Sequence, residues 1–378
     1  MTNISELVPV YAAAMILAVC SHIRSGYSVS LVRYRYRENF CYICMAVILI
    51  LFAGLRTRYN DTGTYMEMYE VFPVDGRIAD SVSNWSIGAN PGFNLVNILL
   101  RMGGISTQSF LMFFSAVTLG VYFWFFKKYS INIWLTVFLF LFFAGYIFTL
   151  AAIKQCVAVA FCLIGVDCAL RKKWISFVFW ILLAVTFHPY AIMYLVVPYL
   201  ISRPWSGRTY LTIFVFGLAG VLLEQMLGTI VDITTMFGEG YDIESFNGEG
   251  VNPFRLAVVA VPLLLSFMAR HHIAQMDPER EKSYFLFVNL AILNAEIMFV
   301  ALFGTANYFA RLANYFVVFQ ALSLPWLLQF FEKKSRQMLT TFAVVGYSLF
   351  FYYENAINRS FNADYDHIPL VEYLQSIF

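Results

Sequence analysis

The sequence predicts an all-α, polytopic integral membrane protein, and three observations carry that prediction. Of 378 residues, 60% are hydrophobic and only 13% charged, where a soluble domain carries roughly 25% charged residues. Apolar runs close to the ~20 residues that a helix needs to cross hydrocarbon recur from end to end. Basic residues gather in the short connections between those runs, as they do on the cytoplasmic side of a membrane protein. Together these exclude a water-soluble enzyme and a disordered chain. With a formal net charge of +2, there is also no global basic field to attract nucleic acid. The start lacks the Lys/Arg-rich segment and small-residue cleavage site of a secretory signal, so the first apolar segment is expected to be retained.

Helices are expected near 7–22, 39–55, 107–126, 131–149, 151–169, 209–230, 254–269, 284–303, 308–330 and 337–353. Residues 92–103 are too short and too polar to cross, and read as an amphipathic or re-entrant helix at one surface. The stretch 174–201 is long for one span and short for two. Basic clusters stand at Arg33/Arg35/Arg37, Lys127/Lys128, Arg171/Lys172/Lys173, Arg203/Arg208, Arg270/Arg280/Lys282 and Lys333/Lys334/Arg336. If all face the cytoplasm, an even number of crossings separates each from the next. Two short spans then lie between Lys173 and Arg203, turning near His188-Pro189. At ~1.5 Å per residue each reaches only about 21 Å, which recesses His188 below the outer surface. A single tilted span with a shifted topology is the alternative.

The resulting expectation is about twelve transmembrane helices with both termini outside, forming one transmembrane domain over 1–378. The external loops cover about 56–91 and 231–253, and an external tail covers 354–378. Most of the acids lie in these longer segments, and loop length is where sites are usually built. Cys41-x-x-Cys44 has a zinc or redox spacing, but no second pair or histidine stands nearby. Plain buried thiols explain the cysteines, and no metal is expected.

Seventeen of the 25 Lys and Arg are cytoplasmic in this topology, Arg24 included, and eight are external. Arg77, Arg101 and Arg359 read best as side chains snorkelling to headgroup phosphates. Arg56, Arg58, Lys154 and Arg311 stand at outer helix ends, where orientation would prefer no cation, and a charge at such a place is a functional hypothesis by default. Gathered together they would hold an anion. Guanidinium forks match phosphate oxygens bidentately and keep their charge. Asp61 has two readings, a carboxylate paired with neighbouring Arg58, or a base or orienter beside the anion pocket. Gly63 permits a tight turn there, and Tyr65 and Tyr69 can line a sugar site. His188 is the one histidine in the middle of a long apolar run, at an external turn, and imidazole suits proton transfer near neutral pH. A packed, hydrogen-bonded histidine is the competing reading. Asp167, Glu224 and Glu296 are acids within spans, but they form no ladder of the kind a proton relay needs.

Several segments fall in a familiar order: Ala53-Gly54-Leu55-Arg56 with Asp61 and Tyr65; Ile153-Lys154-Gln155; Phe187-His188-Pro189-Tyr190-Ala191; Ala310-Arg311-Leu312 with Tyr315 and Phe316; and a tail with Asp364-Tyr365-Asp366 and Pro369. This order resembles the EpsG-like family of Wzy-type polysaccharide polymerases, over roughly 45–370. The resemblance implies a multi-pass protein of the bacterial inner membrane, a GT-C-like glycosyltransferase acting on the periplasmic or extracellular side. Donor and acceptor are undecaprenyl-pyrophosphate-linked oligosaccharide repeat units. Membrane lipid, a chain-length regulator and a flippase are the further partners, with no nucleic acid and no cofactor. It marks Arg56, Asp61, Tyr65, Gln155, His188 and Arg311. The chain departs from the family in having Lys154 where Arg is commoner, which keeps the charge and loses the fork, and in having Pro189 after the histidine.

The reading is a metal-independent polymerase in which Arg56, Arg58 and Arg311, with Lys154 secondary, bind the substrate pyrophosphate. His188 or Asp61 takes the acceptor proton, and Tyr65, Gln155 and Tyr315 bind sugar or lipid. A flippase for lipid-linked oligosaccharide, which should line a central cavity with cations, and a membrane O-acyltransferase with an inward-facing histidine are the alternatives.

Overall fold

A computed structural model describes residues 4–24, 40–71, 90–236, 250–303, 306–358 and 364–377. Arg33, Arg35 and Arg37, Arg77 and Arg359, and most acids of the two external loops lie outside them. The elements in chain order are α1 (Ile4–Arg24), α2 (Phe40–Gly54), β1 (Arg56–Arg58), α3 (Thr62–Val71), α4 (Pro91–Met102), α5 (Thr107–Tyr129), α6 (Ile133–Phe142), α7 (Gly145–Ala151), α8 (Ile153–Leu170) and α9 (Trp174–Phe187). A 3₁₀ segment Pro189–Val196 leads into α10 (Val197–Leu200). There follow α11 (Gly207–Val221), α12 (Leu223–Met236), α13 (Pro253–Val259), α14 (Val261–Met268), α15 (Arg270–Ala274), α16 (Pro278–Val300), α17 (Ala306–Asn314), α18 (Val317–Leu327), α19 (Lys333–Tyr352), β2 (Asp366–His367) and α20 (Leu370–Ile377).

Four of the described helices are long and apolar enough to cross a membrane, and up to six spans result if each of two bent pairs counts as one. Four shorter apolar helices accompany them, Trp174–Phe187 and Pro189–Leu200 among these. The protein is therefore an all-α membrane protein with one two-stranded ribbon among the described residues, and the count of about twelve stays an expectation from the charge pattern. Local chemistry explains several breaks. Asn132 caps α6 through its side chain, Asn252 caps α13 and Asp277 caps α16, each satisfying a backbone N–H that a helix start leaves open. Between α6 and α7, Ala144 adopts φ 64° and the axis bends by 49°. Gly145 follows because a Cβ there would press into the Phe140 ring at 2.8 Å. Between α13 and α14, Pro262 has no N–H to give the Val258 carbonyl, which takes the Tyr347 hydroxyl at 3.4 Å instead. Residues expected as single helices near 131–149 and 254–269 are split at these points.

The chain divides into two compact units. The first comprises Met1–Ile164, Leu182–His188 and Ser348–Phe378. In it α1, α2, α5 and α6 pack side by side around an aromatic core, where Tyr11 meets Phe142, Tyr146 and Phe351. The second comprises Gly165–Ile181 and Pro189–Tyr347. Its axis is α16, flanked by α11, α14, α17 and α18. Buried amides there are tied to backbone: Asn289 Nδ2 donates to Leu200 O at 2.9 Å, and Gln320 Nε2 to Val259 O at 3.0 Å and Asn294 Oδ1 at 2.8 Å. In hydrocarbon an unmet polar group costs several kcal/mol, which is why such side chains are paired. Glu296 accepts from Thr212 Oγ1 at 3.0 Å, and Asp167 pairs with Arg171 one turn on.

Candidate functional site

Helix α2 closes on Gly54 because α5 passes too near for a side chain, a Cβ there meeting Met112. The chain leaves the helix directly into β1. That strand pairs antiparallel with β2, Arg56 opposite His367 and Arg58 opposite Asp366, and Ile368 N–H donates to Leu55 O at 3.1 Å. Residues two apart on a regular strand would share a face, but the register is irregular between Arg56 and Arg58. Arg56 turns inward, 1% exposed, and Arg58 turns outward, forming a surface pair with Asp364 at 3.3 Å.

The Arg56 guanidinium is held on several sides. Its Nε donates to Thr62 Oγ1 at 3.0 Å, and its Nη1 donates to Ala53 O and to Ser115 Oγ at 3.3 Å. Its Nη2 has no partner among the described residues. No described carboxylate pairs with it. The groups that act on its charge are Tyr365, Tyr146, Tyr65 and Cys156. Burial draws its pKa down to about 10, so it is still protonated at neutral pH. A buried ion without a counter-ion costs several kcal/mol, and an anion arriving at Nη2 would offset that cost.

Lys154 enters the same neighbourhood from the start of α8. Its Nζ lies 5.2 Å from the ring centre of Phe93 and 5.8 Å from that of Tyr65. Tyr65 thus feels both cations, Arg56 and Lys154. Gln155, the next residue, is buried. Asp61 is exposed, and its carbonyl accepts the Tyr65 N–H at 3.0 Å, starting α3. The expected Arg58–Asp61 pair is replaced by Arg58–Asp364. Arg58→Ala is therefore expected to shift stability by no more than ~1 kcal/mol, as exposed pairs do, which thermal unfolding of the purified protein would measure.

His188 is half-buried and follows the last residue of α9, its N–H bonded to Ala184 O at 3.0 Å. That helix end sits on the first turn of α4. Gly92 admits no Cβ there because Thr186 and the Phe187 ring occupy the space. The neighbouring residue, Phe93, is the one beneath Lys154. Arg311 and Tyr315 belong to the second unit. Arg311 is exposed on α17, whose C-terminal end is fixed by Asn294 Nδ2 donating to Ala313 O and by the Tyr194 hydroxyl donating to Tyr315 O at 2.6 Å.

The structure thus brings Arg56, Tyr65 and Lys154 to one place, sets Arg58 and Asp61 at the surface, and carries Arg311 and Tyr315 in the other unit. It adds Thr62, Ser115 and Tyr146, which sequence reasoning missed, and Tyr365, which the tail motif contained without a role. A lone serine inside an apolar helix gives no signal, and Tyr365 lies 313 residues from the carbonyl it reaches. The second unit also contains an apolar cleft of ≈ 220 Å³ lined by Phe254, Val258, Leu324, Leu328, Phe342 and Tyr347 among others.

No curated protein and no solved structure matches this chain. The model of the EpsG family matches residues 39–369, which takes in the buried arginine strand, the start of α8, the histidine turn, α17 and the paired tail, so the chain belongs to the EpsG family.

Proposed function

We propose that this protein is a bacterial surface-polysaccharide polymerase, a glycosyltransferase that joins undecaprenyl-pyrophosphate-linked oligosaccharide repeat units on the outer side of the cell membrane. Membership of the EpsG family supports a polysaccharide-polymerase activity and a lipid-linked oligosaccharide substrate at a general level. One observation carries the finer reading: a fully buried guanidinium with no described carboxylate partner, one open nitrogen and a lysine across a shared tyrosine. The apolar cleft in the second unit is chemically suited to a polyprenyl chain.

In this reading an acceptor hydroxyl on one repeat unit attacks the anomeric carbon of the growing chain. The bond from that carbon to the pyrophosphate oxygen breaks, and undecaprenyl pyrophosphate leaves with the bonding pair. Negative charge grows on the departing oxygens, so cations fixed there lower the barrier. Arg56 is the principal one, with Lys154 as a further pyrophosphate ligand, and Tyr65 and Gln155 toward sugar or lipid. The acceptor proton passes to His188 or Asp61.

His188→Ala is expected to lower turnover by roughly 10²–10⁴-fold if the imidazole is the base, read from polymer formed per unit time by membranes supplied with lipid-linked repeat units. A loss below tenfold would assign it a packing role and leave Asp61 as the base. Cysteines placed singly at 186–190 should label with impermeant reagent from the outside. Labelling from the cytoplasm alone would defeat the external site and favour the acyltransferase reading.

A further inference from the structure

Helix α4 and its N-cap carry polar side chains, several of whose atoms have no partner among the described residues. Asn94, Asn97 and Arg101 follow at intervals of three and four residues, which keeps them in a stripe within roughly 60° of one another around the axis, and Asn90 caps the helix start in a left-handed conformation. Asn97 is 0% exposed. Neither its Oδ1 nor its Nδ2 has a hydrogen-bond partner among the described residues, and the same holds for the buried Asn90 Oδ1 and Arg101 Nε. Arg101 is steadied from its far side, with Nη2 donating to Glu70 O at 3.0 Å and the guanidinium 5.7 Å from the Tyr69 ring centre.

Each such orphaned atom costs about 1–3 kcal/mol, and an apolar residue of similar shape would remove that cost. An asparagine kept in that position is therefore poor packing and good recognition chemistry. A carboxamide offers two donors and an acceptor in one plane. That set suits neutral hydroxyls, which both donate and accept, better than it suits a phosphate, which only accepts. Aromatic faces border the stripe: Phe93, one turn before Asn97, meets Tyr65 at 6.1 Å between ring centres, and Tyr69 lies beside Arg101. Polar amides beside flat apolar rings match a pyranose, with its hydroxyl edge and its C–H face. The stripe also begins where α4 passes beneath Lys154.

We propose that Asn90, Asn97 and Arg101 form a saccharide subsite that binds hydroxyls of the repeat unit, next to the cations that hold its pyrophosphate. The proposal rests on the polymerase reading and adds the part of the substrate that α4 recognises. Asn90 and Arg101 are half-buried, and Asn97 is sealed by packing.

The test compares binding of two lipids to the detergent-purified full chain: undecaprenyl pyrophosphate carrying the repeat unit, extracted from a strain without polymerase activity, and bare undecaprenyl pyrophosphate. The native protein is expected to prefer the glycosylated lipid. Asn97→Leu is expected to bind the bare lipid as the native protein does and to lose roughly tenfold of that preference, about two neutral hydrogen bonds. Asn90→Ala, at the half-buried helix start, should lose part of it and guards against a folding defect at position 97. Variants that melt at or above the native temperature and keep the full preference would overturn the subsite. A native protein that binds both lipids equally would also overturn it, leaving the pyrophosphate reading intact. Binding of neither lipid would sink both.

Discussion

Arg56→Ala is expected to abolish long polymer while the protein stays in the membrane at its normal level. Repeat units should accumulate on the lipid carrier, or pass on as products one unit long. The expected loss is at least ~10²–10³-fold, the range seen when one preorganised donor at a developing oxyanion is removed. Arg56→Lys should rescue little. The guanidinium uses Nε and Nη1 to hold Thr62, Ala53 and Ser115 while Nη2 stays open, and a single ammonium cannot reproduce that fork. Because burial places the Arg56 pKa at about 10, the cation persists through the neutral range. Activity should therefore show no Arg56-dependent decline until the pH approaches that value. Quantifying lipid-linked glycans and polymer length together checks the prediction, and a normal length distribution in Arg56→Ala would exclude the anion site.

Removing the tail is expected to be nearly as severe. Deletion of 364–378 takes away β2, so β1 loses its only described partner strand. It also takes away Tyr365, whose ring stacks on Phe52 at 4.2 Å and whose hydroxyl donates to Phe52 O at 2.7 Å. Tyr365 is also one of the hydroxyl-bearing rings near the buried Arg56. Misplacing a catalytic cation by ~1 Å can cost on the order of 10²-fold, and the deletion should reach that loss with membrane insertion unchanged. Tyr365→Phe separates the contributions: it keeps the stacked ring and loses one hydrogen bond, worth about 1 kcal/mol. A tail deletion that polymerises normally would show that β1 holds Arg56 unaided.

The helices were largely legible, since an apolar run of the right length reads the same whatever packs against it. A helix expected over 92–103 stands at Pro91–Met102, and another ends at Phe187, just before His188. The breaks at Ala144 and Ala260 were not legible. The first rests on one residue in a left-handed conformation, the second on a hydroxyl from α19 that stands in for a missing N–H.

Among the cations, composition flagged Arg56 and Arg58 alike. Their separation comes from an irregularity in the strand between them and from pairing with a segment at the other end of the chain. Asn97 drew no notice, because a single amide in an apolar stretch is uninformative until its neighbours are known.

By itself, then, the sequence determined what depends on local composition: a membrane-embedded helical protein, the places where its charges interrupt it, and the ordered short motifs that mark its family. Tertiary structure alone decided which of two arginines, separated by one residue, is stripped of water and which faces solvent. Desolvation depends on what the folded chain packs over a group, and here the packing comes from Ser115, Tyr146 and Tyr365, none of them near Arg56 in sequence.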